Sequence, residues 1–319
     1  MIVELLQRVI PAPLRSILRP YHRLFFKNKI YGYWNITYRC TYKCSYCPFC
    51  NVTDYGKIYP KNVEKTPDEW LRILEKLPPM SFLLIGGEPM LYQGIDEIIN
   101  NLPQKHSIIG MISNASLPAD LYKKIKKKIC LSISYHRESA KEDEFIEKVL
   151  ELNSFMWINS VNIVATPENI PFLEKLHQSL NPKGITVRVE HLIKPGFKYT
   201  DEQYKQIEKY LTYDRNFKKK DDFYEAKICK LCSAGRNYIN IMPNADVYSC
   251  VGGMEYINAV HRKQYIKNPE ILKRYRLGNL ADDNFSFFKK DKLCPNPCIY
   301  VCDWDYAEIR KAKNIKNKI

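Results

Sequence analysis

The feature that most constrains this chain is the placing of its eleven cysteines: 40, 44, 47 and 50, then 229, 232 and 250, then 294, 298 and 302, with Cys130 alone in an apolar run. Tight clusters of this kind point to metal centres rather than to a disulfide framework. The first residues lack the basic, apolar and small-residue succession of a secretory signal, so the pattern predicts a reducing, cytoplasmic compartment where thiols stay free. Cys130, between Ile129 and Leu131, reads as a small, buried apolar residue.

At 319 residues the chain has room for one barrel-sized domain and a small appendage. Hydrophobic residues at 45% and charged residues at 27% exclude a disordered or fibrous chain. No apolar run reaches the roughly 18 residues of a membrane span. The net charge of +15 favours an acidic partner. Its lysines are scattered apart from short runs at 126–128 and 218–220 and a basic tail, a pattern that argues against nucleic acid. Residues 1–26 form a basic amphipathic stretch broken by Pro11, Pro13 and Pro20. They either dock on the fold or make a peripheral, reversible contact with an anionic membrane.

From Tyr31 to about Ile193, short β-branched runs alternate with helical periods, which predicts parallel βα units. The candidate strands are 33–37, 81–86, 106–113, 129–134, 160–165 and 186–193, enough for a parallel sheet or partial barrel. Thr66, Pro67 and Glu69 form a capping box with proline at the first helical position, ahead of the apolar face Trp70, Ile73, Leu74 and Leu77. Further helices are expected from Asn169 through Leu180 and over 200–211. A polar, Lys- and Asp-rich linker at 214–222 then opens a new unit, whose core is a hairpin over 238–250 that turns at Pro243-Asn244-Ala245-Asp246 and delivers Cys250. The expected organisation is an N-terminal segment (1–30), a βα unit (31–213), a Cys-rich unit (214–305) and a basic tail (306–319).

Cys40, Cys44 and Cys47 follow the first strand in CTYKCSYC. Three thiols in eight residues suit an iron–sulfur cubane with one iron left free, because structural zinc wants a fourth ligand. Cys50 keeps zinc-ribbon and ferredoxin-like readings open. The spacing Cys40-x3-Cys44-x2-Cys47, with Tyr46 before the last cysteine, resembles the radical S-adenosylmethionine enzyme superfamily. That resemblance implies a [4Fe–4S] cluster on the three cysteines, with S-adenosylmethionine chelated by the free iron. It also implies an electron donor such as ferredoxin or flavodoxin, reductive cleavage to a 5′-deoxyadenosyl radical, and hydrogen abstraction from a substrate.

The turn Gly86-Gly87-Glu88-Pro89 resembles the family's GGEP, whose backbone and glutamate receive the cofactor's amino group. Two glycines permit close approach, and a carboxylate complements an ammonium. Ser113-Asn114 resembles the family's ribose-contacting pair, and Ser132 and Ser134 share one side of the fourth strand, as the family's ribose or carboxylate ligands do. Where many relatives carry an acid after that strand, this chain has Tyr135-His136-Arg137. His136 and His191, at strand ends, read as substrate-facing or structural imidazoles.

Cys229-x2-Cys232, Cys250 and the run CPNPCIYVC bring six thiols to the C-terminal unit, a set that also suits tetrahedral zinc. Residues 232–250 followed by Gly278-Asn279-Leu280 resemble the SPASM/twitch extension of radical enzymes. The resemblance implies one auxiliary [4Fe–4S] cluster on Cys229, Cys232, Cys250 and one of the later cysteines, Cys298 or Cys302 ahead of Cys294. It also implies an α/β fold: a partial (β/α)6 TIM-like barrel followed by a small Cys-rich domain. The expected function is oxidative modification of a peptide or protein. The alternatives are radical modification of a lipid or small metabolite at a membrane surface, and a non-catalytic iron–sulfur or zinc protein.

Overall fold

The β-branched and aromatic runs do become strands: β1 (Ile30–Thr37), β2 (Met80–Gly86), β3 (Ser107–Ser113), β4 (Cys130–Tyr135), β5 (Trp157–Ala165) and β6 (Thr186–His191). The computed structural model describes residues 30–47, 64–192, 197–210, 230–250, 276–293 and 309–311. The stretch 1–26, the boundaries expected near 214 and 305, and Cys50, Cys229, Cys294, Cys298 and Cys302 lie outside the described residues. Successive strands from β1 to β6 pair in parallel. Their crossovers contain α1 (Pro67–Lys76), α2 (Ile95–Asn101), α3 (Ala119–Lys123), α4 (Glu142–Asn153) and α5 (Leu173–Leu180). This is a partial (β/α)6 barrel, open among the described residues at β6. Cys130 departs from expectation: as the first residue of β4 it stands at the sheet's rim and is only half-buried.

Helix α1 shows how local signals and packing cooperate. The Thr66 hydroxyl accepts from the Glu69 amide at 3.3 Å, and the Glu69 carboxylate accepts from the Thr66 amide at 2.8 Å. The helix so started turns Trp70, Ile73 and Leu74 inward. Trp70 meets Trp34 of β1 edge-on, with ring centroids 4.6 Å apart. Each side chain of this size contributes roughly 1.5–3 kcal/mol on burial, so the helix is fixed on the sheet mainly by this face. Helix α6 (Asp201–Glu208) begins on a second capping box, Thr200 with Gln203, and buries Ile207.

The hairpin forms as expected, from β8 (Tyr238–Ile241) and β9 (Asp246–Tyr248). Ala245 adopts a left-handed φ of 68° in its turn. Its position is what the sequence did not show: β8 lies parallel to β1, and β9 and β10 (Arg276–Asn279) follow antiparallel. The result is one nine-stranded sheet in the order β10-β9-β8-β1-β2-β3-β4-β5-β6. All four residues of β8 are buried, rather than every second one, because the strand lies between β1 and β9 with both faces packed. Asn35 of β1 locks the join, donating to Asn240 Oδ1 at 2.7 Å and to the Ile241 carbonyl at 3.0 Å. A separate three-stranded sheet sets β7 (Lys230–Cys232) between β11 (Lys292–Leu293) and β12 (Ile309–Lys311). Among the described residues no helix is long and apolar enough to cross a membrane.

Candidate active site

The cysteine loop leaves the C-terminal end of β1, the end of a parallel sheet where βα loops gather and α/β barrels place their chemistry. Its first residues are fixed by β2. The Gly87 amide donates to the Thr37 carbonyl and the Glu88 amide to the Arg39 carbonyl, both at 2.8 Å. Both glycines are required by this contact. A Cβ on Gly86, whose φ is +143°, would stand 2.0 Å from the Thr37 oxygen, and one on Gly87 2.2 Å from the Arg39 oxygen. The close approach that the Gly-Gly pair permits is thus, in the first place, that of the chain leading into Cys40. Arg39 is held in turn by the Glu64 carboxylate, with Nη2 to Oε2 at 2.9 Å, and Thr37 Oγ1 bonds the same carboxylate.

Cys44 is buried, whereas Cys40 and Cys47 are half-buried. Burial, then the neighbouring Cys47, Glu138 and Cys40, push the Cys44 thiol up to about 11. A bound cation inverts this balance by deprotonating a coordinating thiol outright. Among the described residues, no three His, Cys, Asp or Glu side chains are already drawn together as a metal site. The donor set nonetheless fits an iron–sulfur cluster. It consists of thiols alone, on one loop, and the Cys40 sulfur receives the Tyr42 amide at 3.4 Å and the Asn114 side-chain amide at 3.6 Å. N–H donors aimed at a sulfur favour its thiolate form.

Glu88, Ser113 and Asn114 form one buried network behind this loop. Glu88 is fully enclosed; its Oε1 accepts from the Met90 amide at 3.0 Å and the Ser113 hydroxyl at 2.9 Å, and its Oε2 from the Asn114 amide at 2.7 Å. Burial pushes this carboxyl up to about 7, even though the three donors pull it the other way. The carboxylate therefore ties the β2 turn to the end of β3, and Pro89 starts the short helical turn that closes over it. Ser113 also shares a 2.7 Å hydrogen bond with Tyr122 of α3, and the Asn114 side chain reaches Thr41 Oγ1 at 3.1 Å. Cys40, the GGEP turn and the Ser113-Asn114 pair are thus brought together.

Ser132 and Ser134 share the half-buried face of β4, opposite a buried face of Leu131, Ile133 and Tyr135. Ser132 accepts from Ser160 at 3.2 Å, and Ser134, Asn162 and Arg188 stand in register across β4, β5 and β6. Tyr46 shares a 2.8 Å hydrogen bond with His136 Nδ1, and burial pushes the His136 imidazole down to about 4. His191 packs instead against the rings of Tyr199 and Tyr204. Sequence reasoning missed two carboxylates, Glu64 and Glu138, which reach the cysteine loop from distant segments. For Glu138 a signal existed: it lies two residues beyond His136, close to where an acid was sought.

Of the C-terminal cysteines, Cys232 and Cys250 pack half-buried against one small cluster with Ala234, Tyr238, Tyr31 and Tyr33. Cys232 also pairs in register with Lys292 of β11 and Ile309 of β12. Those strands flank the stretch that carries Cys294, Cys298 and Cys302, so the backbone on both sides of it runs beside Cys232.

The family model of the Radical SAM superfamily matches residues 34–211, from within β1 to just past α6. The GTP 3',8-cyclase of Clostridium perfringens (strain SM101 / Type A) is 26% identical over 147 residues, 40% of this chain and 45% of its own length. The chain therefore spans less than half the length of the first curated relatives it matches. Streptococcus suis SuiB has a similar fold, with TM-score 0.51 at 18% identity over 77% of this chain and 67% of that one. Native anSMEcpe with bound AdoMet and Kp18Cys peptide gives TM-score 0.51 at 14% identity, over 79% of this chain and 78% of that one. With the family match laid over the six βα units that carry the cysteine loop, the chain belongs to the radical SAM superfamily, whose members use a [4Fe–4S] cluster and S-adenosylmethionine.

Proposed function

We propose that the chain is a radical S-adenosylmethionine enzyme that oxidatively modifies a peptide or protein. One observation carries the reading: three thiols on the loop after β1, one with amide donors aimed at its sulfur, held by the Gly-Gly turn of β2. In this reading Cys40, Cys44 and Cys47 hold the cluster. Gly86, Gly87, Glu88, Pro89, Tyr46, Ser113, Asn114, Ser132 and Ser134 form the seat for S-adenosylmethionine. When bound, cluster and cofactor supply one-electron cleavage of the sulfonium and the hydrogen abstraction that follows, with an electron from a donor such as ferredoxin or flavodoxin.

The chain's own residues supply placement. Asn114 pins Cys40 and Thr41, Glu88 locks the turn on which the loop rests, and the row Ser134, Asn162, Arg188 offers hydrogen bonds to a polar group. Cys232 and Cys250, with Cys229 and Cys298 or Cys302, hold one auxiliary [4Fe–4S] cluster. Their common packing and the pairing of β11 and β12 with Cys232 support that assignment.

The peptide substrate is supported by the likeness in fold to anSMEcpe, solved with AdoMet and a peptide. The matched GTP 3',8-cyclases favour a second reading, a purine nucleotide. Cys47→Ala should abolish S-adenosylmethionine cleavage while the C-terminal site keeps its metal; retained cleavage would mean that the triad is misread. With the native protein, 5′-deoxyadenosine formed faster with peptides than without substrate supports the first reading. Stimulation by GTP alone moves the assignment to the second.

A further inference from the structure

The segment after β4, His136-Arg137-Glu138-Ser139, meets Tyr42, Ser45 and Tyr46 of the cysteine loop. The Glu138 carboxylate accepts from the Ser45 amide at 2.7 Å and from the Ser45 hydroxyl at 2.5 Å. Beside it, the Tyr46 hydroxyl bonds His136 Nδ1, and the two rings stack with centroids 5.9 Å apart and planes 24° apart. Tyr42 meets the His136 ring edge-on, also at 5.9 Å.

The segment is itself anchored. The Ser139 and Ala140 amides both donate to the His136 carbonyl, at 2.9 and 3.0 Å, closing a turn. Arg137 lays its guanidinium 3.6 Å over the Phe172 ring and donates to the Glu168 carbonyl at 2.5 Å, both in the connection after β5. Four residues thus join the cysteine loop to the next βα connection. Ser45 and Glu138 are both exposed, and a hydrogen bond at an exposed site adds little to global stability. Its consequence is local: it holds the part of the loop that lies between Cys44 and Cys47. Contacts just outside a metal's ligands set their orientation and affinity.

We propose that Glu138 is a positioning residue for the iron–sulfur centre: by clamping Ser45, between Cys44 and Cys47, it restrains the stretch of loop that presents those two thiols to the cluster. His136 secures the clamp to the loop, and Arg137 secures it to the connection after β5. This rests on Cys40, Cys44 and Cys47 being the cluster ligands.

The test compares the anaerobically reconstituted full chain with its Glu138→Ala and Glu138→Gln variants. The readouts are the rate of iron loss to a chelator, the EPR spectrum of the reduced cluster with and without S-adenosylmethionine, and the urea unfolding midpoint. Glu138→Ala should lose iron roughly 10- to 100-fold faster and alter the EPR lines, with its urea midpoint unchanged. Glu138→Gln, which keeps an oxygen for the Ser45 amide, should fall between. Wild-type iron loss and a wild-type spectrum in Glu138→Ala would overturn the clamp and leave the ligand reading standing. A urea midpoint that falls in step with the iron would overturn it in favour of a general role in folding. Cys47→Ala, run alongside, loses the part of the spectrum that changes on adding S-adenosylmethionine if the ligand reading is right; a spectrum that still responds to S-adenosylmethionine there removes the ligand reading and the clamp with it.

Discussion

Gly87→Ala puts the link between the Gly-Gly turn and the cysteine loop under direct strain. The new Cβ would stand 2.2 Å from the Arg39 carbonyl oxygen, 2.6 Å from its carbon and 2.8 Å from the Tyr38 oxygen, all backbone atoms with no rotamer to escape into. The Tyr38-Arg39 backbone must retreat by about 1 Å to reach ordinary contact, and Cys40 is the next residue. Overpacking of this kind costs about 1–3 kcal/mol. The two 2.8 Å amide bonds from Gly87 and Glu88 to the β1 tail are lost or stretched, at roughly 0.5–1.5 kcal/mol each. The expected destabilisation is therefore about 2–6 kcal/mol, read as a fall in urea midpoint at constant slope, with a loss of bound iron after anaerobic reconstitution. Gly184→Ala is the control. Its φ of +77° brings strain, but nothing lies within 4 Å, so it should cost about 1–2 kcal/mol and keep its iron. If Gly87→Ala unfolds within 1 kcal/mol of the native protein and binds iron normally, the close approach does not position the loop.

His106 sets an acid limit on stability. Its Nδ1 accepts from the Met80 amide at 3.1 Å and its Nε2 bonds the Leu74 carbonyl at 2.8 Å, so the imidazole is neutral and burial lowers its pKa. The unfolded chain then binds the extra proton first, and stability falls as pH drops from about 6.5 through the lower folded value. In urea titrations across pH, His106→Gln should flatten that decline relative to the native protein; parallel curves would contradict the assignment. Thr66→Ala removes the cap of α1 and should cost about 1 kcal/mol with iron content unchanged; loss of iron would show that α1 sets the site more directly than its packing indicates.

Local pattern made much of this fold legible. The C-terminal ends of β1, β2, β3 and β5 fall on the residues that the β-branched runs marked, and Thr66 with Glu69 starts α1 as read. These signals work because alternation, caps and turn residues act within a few positions of one another. The cysteine spacing was legible for the same reason. What escaped were pairings across long separations. Asn35 meets Asn240 205 residues away, placing the hairpin beside β1, and Ser45 meets Glu138 93 residues away. Neither pair leaves a periodic trace in one sequence. Glu88 was legible as part of a motif. Its enclosure by Ser113, Asn114 and Met90 depends on where the end of β3 falls beside β2, which tertiary packing decides.

Anaerobic iron and sulfide analysis of the reconstituted protein, followed by dithionite and S-adenosylmethionine with detection of 5′-deoxyadenosine, tests the central claim most directly. The account predicts about four irons per chain from the Cys40, Cys44 and Cys47 loop, about eight with the C-terminal site also filled, and 5′-deoxyadenosine formed. Zinc in place of iron, with no 5′-deoxyadenosine, would contradict it.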